Sequence, residues 1–321
     1  MRGSGGYYIL TGLVLLAFFL VGRFMCVGDF LGEAPCRPGL RYALSVDGLM
    51  PPLLETFPLY NDTIVVSLAD MQRDTHVDTG LLWLVNLDNP LPPGFTPQNL
   101  VSHQGIRLHA AAYTAYTQMI NVMKAEGGTH GLQLVSAYRP YEYQRRLFDN
   151  KTRDLVAQGH NAAVAEGLAA KSVQRPGASE HQTGLALDVS VSGQLTQDFA
   201  ATKAGQWLAA NAHRFGFIIR YPQYKTEVTQ IIFEPWHLRY VGIPHARIIW
   251  ENGITLEEYA GFIASGPYIQ WCEPRESRVF NLVMYSEVWP EEPPSGLENI
   301  SSVSHGGRVG YIMTFRRVAP N

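Results

Sequence analysis

Apolar residues recur at helical spacing from Ile106 to Glu126, where Leu108, Ala111, Ala112, Ala115, Met119, Ile120 and Met123 share one face and Gly127-Gly128 ends the run. The pattern predicts a core helix. Gln133-Leu-Val-Ser-Ala-Tyr138 reads as a strand leading into Arg139-Pro140, which places Arg139 at a strand end facing a cleft. The fixed φ of Pro140 suits the first position of a helix, and that helix runs from Tyr141 to about Val173 with a break near Gly159-His160. Leu185-Ala-Leu-Asp-Val-Ser-Val191 is dense in apolar and β-branched residues and reads as a buried strand. Thr202 to Phe215 is a further helix stopped by Gly216, and Phe217–Tyr221 and Gln230–Val241 read as a hairpin. Leu81–Asn86 is another candidate strand, followed by the proline-rich turn Asn89–Gly94. Helices over Pro244–Asn252 and Leu256–Ile263 close the series. Strands and helices segregate rather than alternate, so the expected class is α+β: a small antiparallel sheet with helices packed on it.

The flanks carry a different pattern. No charged residue interrupts Tyr7 to Gly22, and Ile9–Val21 is nearly all Leu, Val, Phe and Ala between Arg2 and Arg23. The run is shorter than the roughly 20 apolar residues of a full membrane span, but a snorkelling Arg23 would let Phe24 to Val27 extend it. It reads either as a secretory signal or as an uncleaved membrane-spanning anchor, and the lack of a small-x-small cleavage site after it favours the anchor. The expected organisation is an anchor over residues 1–28, a stalk and packing region over 29–78, a main domain over 79–266 and a β-rich extension over 267–321. Val279–Tyr285 and Tyr311–Phe315 are the strand-like pieces of that extension, and Thr63–Ser67 is a short apolar piece in the stalk region. The expected address is the cell membrane, single-pass with the main domain outside the cytoplasm, the alternative being secretion.

Composition narrows the class without deciding it. With 321 residues and 46% hydrophobic positions there is ample material for a core. A formal net charge of -3, with lysine and arginine dispersed, gives no basic patch for nucleic acid. The three cysteines, Cys26, Cys36 and Cys272, do not sit at metal-ligand spacing. Cys36 and Cys272 either pair in an oxidising compartment or remain unpaired small hydrophobes.

The chemistry concentrates in two segments, Ser179-Glu-His-Gln-Thr-Gly-Leu-Ala-Leu-Asp188 and Glu234-Pro-Trp-His237. Together they offer two imidazoles, an aspartate and a glutamate in apolar surroundings, the mix that a catalytic metal site with an open coordination position requires. His181 lies in a loop and Asp188 in the strand after it, so the two can converge. Pro235 interrupts the second apolar run beside Glu234 and His237, where a bulge would re-aim both side chains. A serine hydrolase built on Ser179, His181 and Asp188 is disfavoured: there is no Gly-x-Ser-x-Gly turn, and a Ser-x-His pair does not easily present its side chains to each other. The other eight histidines read as structural.

Ser-x-His-x-x-Gly-x-Ala-x-Asp followed by Glu-x-Trp-His resembles the signature of the zinc D-Ala-D-Ala carboxypeptidases associated with vancomycin resistance, relatives of the D,D-dipeptidases and of hedgehog-type zinc domains. Ser136-Ala-Tyr-Arg139 with Gln144 matches a third element of that family, and the three occur in the family's order between about Leu81 and Gly261. Pro140 stands where the family usually has serine. The resemblance implies zinc held by His181, Asp188 and His237 in a central cleft, with Glu234 as general base. It implies Arg139 as a carboxylate or oxyanion contact, and Ser179 and Gln144 as further substrate contacts. The implied substrate is a peptidoglycan stem peptide ending in D-Ala-D-Ala. Within the same fold an endopeptidase or dipeptidase is the alternative. A non-catalytic zinc-containing cell-wall-binding module is a third reading, and such a module would have no need of Glu234.

Overall fold

The computed structural model describes residues 39–43, 80–127, 131–243, 245–264, 268–272, 279–286, 297–305 and 308–318. The chain divides into two compact units, one of Val77–Ala264 with Ile300–Ile312 and the other of Met1–His76, Ser265–Asn299 and Met313–Asn321. The first holds a four-stranded antiparallel sheet in the order Gln133–Ser136, Ala186–Ser190, Glu234–Tyr240, Phe217–Tyr221. The two inner strands come from the segments singled out for their chemistry. Every position of Ala186–Ser190 is buried, as is every position of Glu234–Tyr240 except the last.

Helix Ala110–Ala125 packs Ala112, Ala115, Met119 and Met123 into one core with Leu185, Leu187, Val189, Trp236 and Leu238 of the sheet and Ala204 and Leu208 of helix Lys203–Asn211. Burying a side chain such as Met119, Leu187 or Leu208, all fully buried here, contributes about 1.5–3 kcal/mol. That packing, more than intrinsic propensity, keeps a helix of this length in place.

Three expected elements take a different form. The helix starts at Ala110, not Ile106: Ile106–His109 is a strand paired with Leu100–His103. Gln104 and Gly105 turn this hairpin with φ of 50° and 83°, as a two-residue primed turn requires. Leu81–Asn86 is not a strand. Arg239 Nη2 donates to the carbonyls of Leu81 and Trp83, each at 3.0 Å, so a buried guanidinium takes acceptors that a neighbouring strand would have used. Pro140 is the cap residue of helix Tyr141–Ala157, with ψ at 156°, rather than its first residue. The break near Gly159-His160 is present, and the second helix, Ala162–Ala170, ends before Val173.

In the other unit Gly39–Ala43 pairs antiparallel with Tyr268–Cys272, which pairs with Val279–Ser286. The stalk region therefore contains at least one strand. Strands Leu297–His305 and Arg308–Val318 complete the described chain. Among the described residues no helix is long and apolar enough to cross a membrane. The run Ile9–Val21, the Thr63–Ser67 piece and Cys36 lie outside them.

Gly184 closes the turn that carries His181, with φ of 71°. A Cβ there would lie 2.8 Å from Leu100 Cδ2 and 3.2 Å from the His109 backbone nitrogen. Gly184→Ala is therefore expected to destabilise the fold by about 2 kcal/mol from the left-handed backbone alone, read by denaturant unfolding; unchanged stability would show that the loop adapts freely.

Candidate metal centre

The geometry begins with strand register. Asp188 faces His237 directly across the antiparallel pair Ala186–Ser190 and Glu234–Tyr240, and faces Ser136 on its other side. The register of the next strand pair shifts close by. Ile219 pairs with Leu238 and Tyr221 with Glu234, so a step of two residues on one strand meets a step of four on the other. The extra residues lie around Pro235, where the bulge was expected, and they bring Glu234 Oε2 to 3.7 Å from His237 Nδ1.

His181 arrives from a 3-10 turn, Glu180–Thr183. Its Nδ1 donates to the Ala137 carbonyl at 2.6 Å, which leaves Nε2 as the acceptor nitrogen, turned toward the site and met there by Arg139 Nη2 at 2.8 Å. His181, Asp188 and His237 each bring one donor atom within 4.8 Å of the others, and all three residues are buried. Asp188 Oδ1 is buried without a hydrogen-bond partner although His237 Nδ1 stands 3.2 Å away. Orphaned buried carboxylate oxygens are costly, and an imidazole–carboxylate–imidazole set without thiolate suits zinc with an open position. The residues present therefore fit that metal.

Arg139 stands at the rim. Its Nε donates to Ser136 Oγ at 2.9 Å and its Nη1 to Gln144 Oε1 at 3.2 Å, while Nη2 lies 2.8 Å from His181 Nε2 and contacts Asp188 Oδ2. Its side chain is 16% exposed against 2% for Asp188, so it is the more accessible of the two. Gln144 is committed on both sides, since its Nε2 donates to the Gln174 carbonyl at 2.8 Å. This makes it a holder of Arg139. Ser179 is buried at the start of the 3-10 turn and makes no side-chain capping bond. Trp236 belongs to the core.

Sequence reasoning missed Glu180, Arg220 and Arg239. All three are fully buried. Glu180 Oε1 accepts from Arg220 Nε and Arg239 Nη1, each at 2.7 Å, and Arg220 also bonds Glu257. The available signal was an arginine inside each of two apolar strand runs, Phe-Ile-Ile-Arg-Tyr221 and His-Leu-Arg-Tyr240.

The electrostatics separate the titrating groups. Burial, reinforced by the Arg139 charge, lowers His181 to about 4 and keeps it neutral. Burial raises Glu234 to about 8, with Asp188 adding to the rise and His237 and Arg139 opposing it. For His237 burial is the largest influence and acts downward, but the neighbouring Asp188, Glu180 and Glu234 carboxylates together raise it to about 9. A metal at this point must displace that proton, so uptake is coupled to pH.

Three lone-pair donors converging at the middle of a small sheet, with a spare buried carboxylate alongside, define a metal-dependent hydrolase. The VanY family, described as D-alanyl-D-alanine carboxypeptidase, matches residues 105–243. The bifunctional D-Ala-D-Ala dipeptidase and D-Ala-D-Ala carboxypeptidase VanXYC of Enterococcus gallinarum is 34% identical over 57% of this chain and 95% of its own length. The D-alanyl-D-alanine carboxypeptidase of Enterococcus faecalis is 37% identical over 56% of this chain. The match spans 65% of that relative, less than two thirds of its length. Among solved structures, the D,D-dipeptidase VanXYg in complex with a D-Ala-D-Ala phosphinate analogue is 26% identical, with a TM-score of 0.59 over 74% of this chain and 94% of that one. A VanY D,D-pentapeptidase variant in complex with Zn(II) is 37% identical, covers 56% of this chain and 97% of that one, and has a TM-score of 0.49. The chain belongs to the VanY D-alanyl-D-alanine carboxypeptidase family.

With the metal removed, the raised Glu234 sets a pH dependence. The folded state holds this proton up to about pH 8, whereas the unfolded chain releases it near 4.5. The Glu234 contribution to stability is thus full at low pH and is lost as pH rises through that window. Denaturant unfolding of chelator-treated Glu234→Gln is expected to show a flatter decline across it than the parent; equal slopes would mean that Glu234 ionises normally.

Proposed function

We propose that this chain is a zinc D,D-carboxypeptidase that removes the terminal D-alanine from peptidoglycan stem peptides ending in D-Ala-D-Ala. The observation that carries the reading is the buried convergence of His181, Asp188 and His237 with Glu234 poised 3.7 Å from the His237 ring. His181, Asp188 and His237 would hold the zinc. When bound, the ion supplies Lewis acidity toward the scissile carbonyl and acidifies water.

The remaining chemistry belongs to the chain. Glu234 takes the proton of the attacking water and passes it to the leaving amine; its burial matches its basicity to neutral pH better than an exposed carboxylate could. Asp188, in place of a neutral third ligand, lowers the positive charge of the site and so makes that base more necessary. Arg139, tethered by Ser136 and Gln144, presents its guanidinium at the rim to grip the terminal carboxylate of the peptide. Gln144 acts through Arg139, and Ser179 is a further candidate contact for the same carboxylate. The non-catalytic reading leaves a buried carboxylate beside the donors without a task.

A peptidoglycan substrate places the active unit outside the cytoplasm. The apolar run Ile9–Val21 supports a retained membrane anchor, with secretion after cleavage as the alternative.

Two experiments check this. Glu234→Gln is expected to keep its zinc by elemental analysis while losing about 10²-fold or more in kcat; parental turnover would place the base elsewhere. Incubated with a pentapeptide ending in D-Ala-D-Ala, the parent is expected to release single D-alanine by mass spectrometry. Amidating the peptide terminus or making Arg139→Lys should each lower kcat/KM about 10²-fold, since a truncated charge-paired contact costs roughly 2–5 kcal/mol. Release of D-Ala-D-Ala, internal cleavage or indifference to amidation would move the assignment to the dipeptidase or endopeptidase.

A further inference from the structure

His237 has two ring nitrogens in different settings. Nδ1 faces Asp188 Oδ1 at 3.2 Å and Glu234 Oε2 at 3.7 Å, while Nε2 points the other way, 3.7 Å from Glu180 Oε2. Nε2 and Glu180 Oε2 are both buried, and neither has a hydrogen-bond partner. Glu180 cannot swing away to find one. Its other oxygen is clamped by Arg220 and Arg239 at 2.7 Å each, and all three residues are sealed from solvent. Arg239 is fixed in turn to the carbonyls of Leu81 and Trp83, and Arg220 to Glu257. Two orphaned atoms, one a potential N–H donor and the other a carboxylate acceptor, thus face each other with the acceptor immobilised.

We propose that Glu180 is the positioning residue of the metal centre: its Oε2 accepts the Nε2–H of His237, fixing the tautomer and plane of the imidazole so that Nδ1 is the donor toward the metal. This rests on the zinc reading of the site. The arrangement uses a general requirement, that a ligating imidazole be oriented by an acceptor at its other nitrogen. His181 meets the same requirement in mirror fashion, with Nδ1 on the Ala137 carbonyl and Nε2 turned to the site. The two histidines therefore coordinate through opposite nitrogens. Arg220 and Arg239 hold Glu180 stationary, and through Arg239 the Glu180 carboxylate links the metal centre to the segment around Leu81–Trp83.

A purely structural Glu180, needed only to neutralise two buried arginines, would behave differently. The test compares full-length parent, Glu180→Gln and Glu257→Gln. The second variant takes charge from Arg220 without touching His237. Zinc affinity by chelator competition is expected to fall about 10–100-fold in Glu180→Gln and to stay at the parental value in Glu257→Gln. Equal affinities in parent and Glu180→Gln, or an equal fall in both variants, overturns the proposal. A parent that takes up no zinc overturns the zinc reading itself, and this inference with it. The parent alone gives a second readout that does not depend on a variant folding. In the zinc-loaded, ¹⁵N-histidine-labelled protein, nitrogen shifts should report His237 ligated through Nδ1 and protonated at Nε2, with that proton slow to exchange. Ligation through Nε2 overturns the proposal.

Discussion

The pairing of Asp188 with His237 across two inner strands is the constraint on which the site depends. Side chains alternate faces along a strand, so a slip of one residue in this register would turn one of them away from the other. What prevents the slip is apolar burial along both strands and the core beneath them, where Leu187, Val189 and Leu238 are closed from solvent. The third donor is not part of the sheet and has to be pinned to it. Arg139 N to the His181 carbonyl at 3.1 Å, His109 N to the Gly184 carbonyl at 2.9 Å and Tyr240 N to the Leu185 carbonyl at 2.9 Å do this. Gly184 supplies the reversal that makes those bonds compatible.

Around this frame lies an unusual amount of buried charge. Isolated ions in a protein interior are strongly disfavoured, and pairing compensates only when nearly every lone pair and proton is used. The arginines meet that condition: Arg220 is shared by Glu180 and Glu257, and Arg239 by Glu180 and backbone carbonyls. The carboxylates do not, because Asp188 Oδ1 and Glu180 Oε2 are left over. Both leftovers border His237. The structure thus spends its charge compensation away from the centre and leaves unmet acceptors where a cation and a ligand proton are needed.

The sequence made the metal trio and Glu234 legible because their spacing is tied to strand period and to a proline-marked bulge, and because a family signature coincides with them. It made the inner strands legible through continuous apolar runs. It did not reveal the Glu180–Arg220–Arg239 cluster, since charged residues are ordinarily solvated and the apolar runs around Arg220 and Arg239 were the one local hint that they are closed off. The same omission explains Leu81–Asn86: its apolar residues do pack inward, but a distant guanidinium takes the carbonyls that a strand neighbour would have bonded. At Ile106–His109 a four-residue alternation was hidden inside a longer helical period. Gln144 was visible as a candidate contact, but its role as a tether of Arg139 appears only once both ends of its side chain are seen to be used.

We read two imidazoles, one from the sheet and one from the turn pinned to it, and one carboxylate of the sheet as holding zinc with one position left open. X-ray absorption at the zinc edge of the loaded full-length protein tests it most directly. The expected spectrum has nitrogen and oxygen neighbours only, about 2.0–2.1 Å from the metal, with imidazole scattering for two ligands and one light-atom ligand that a phosphinate inhibitor replaces. A thiolate neighbour, a closed shell of four protein donors, or a spectrum unchanged in Asp188→Ala would contradict it.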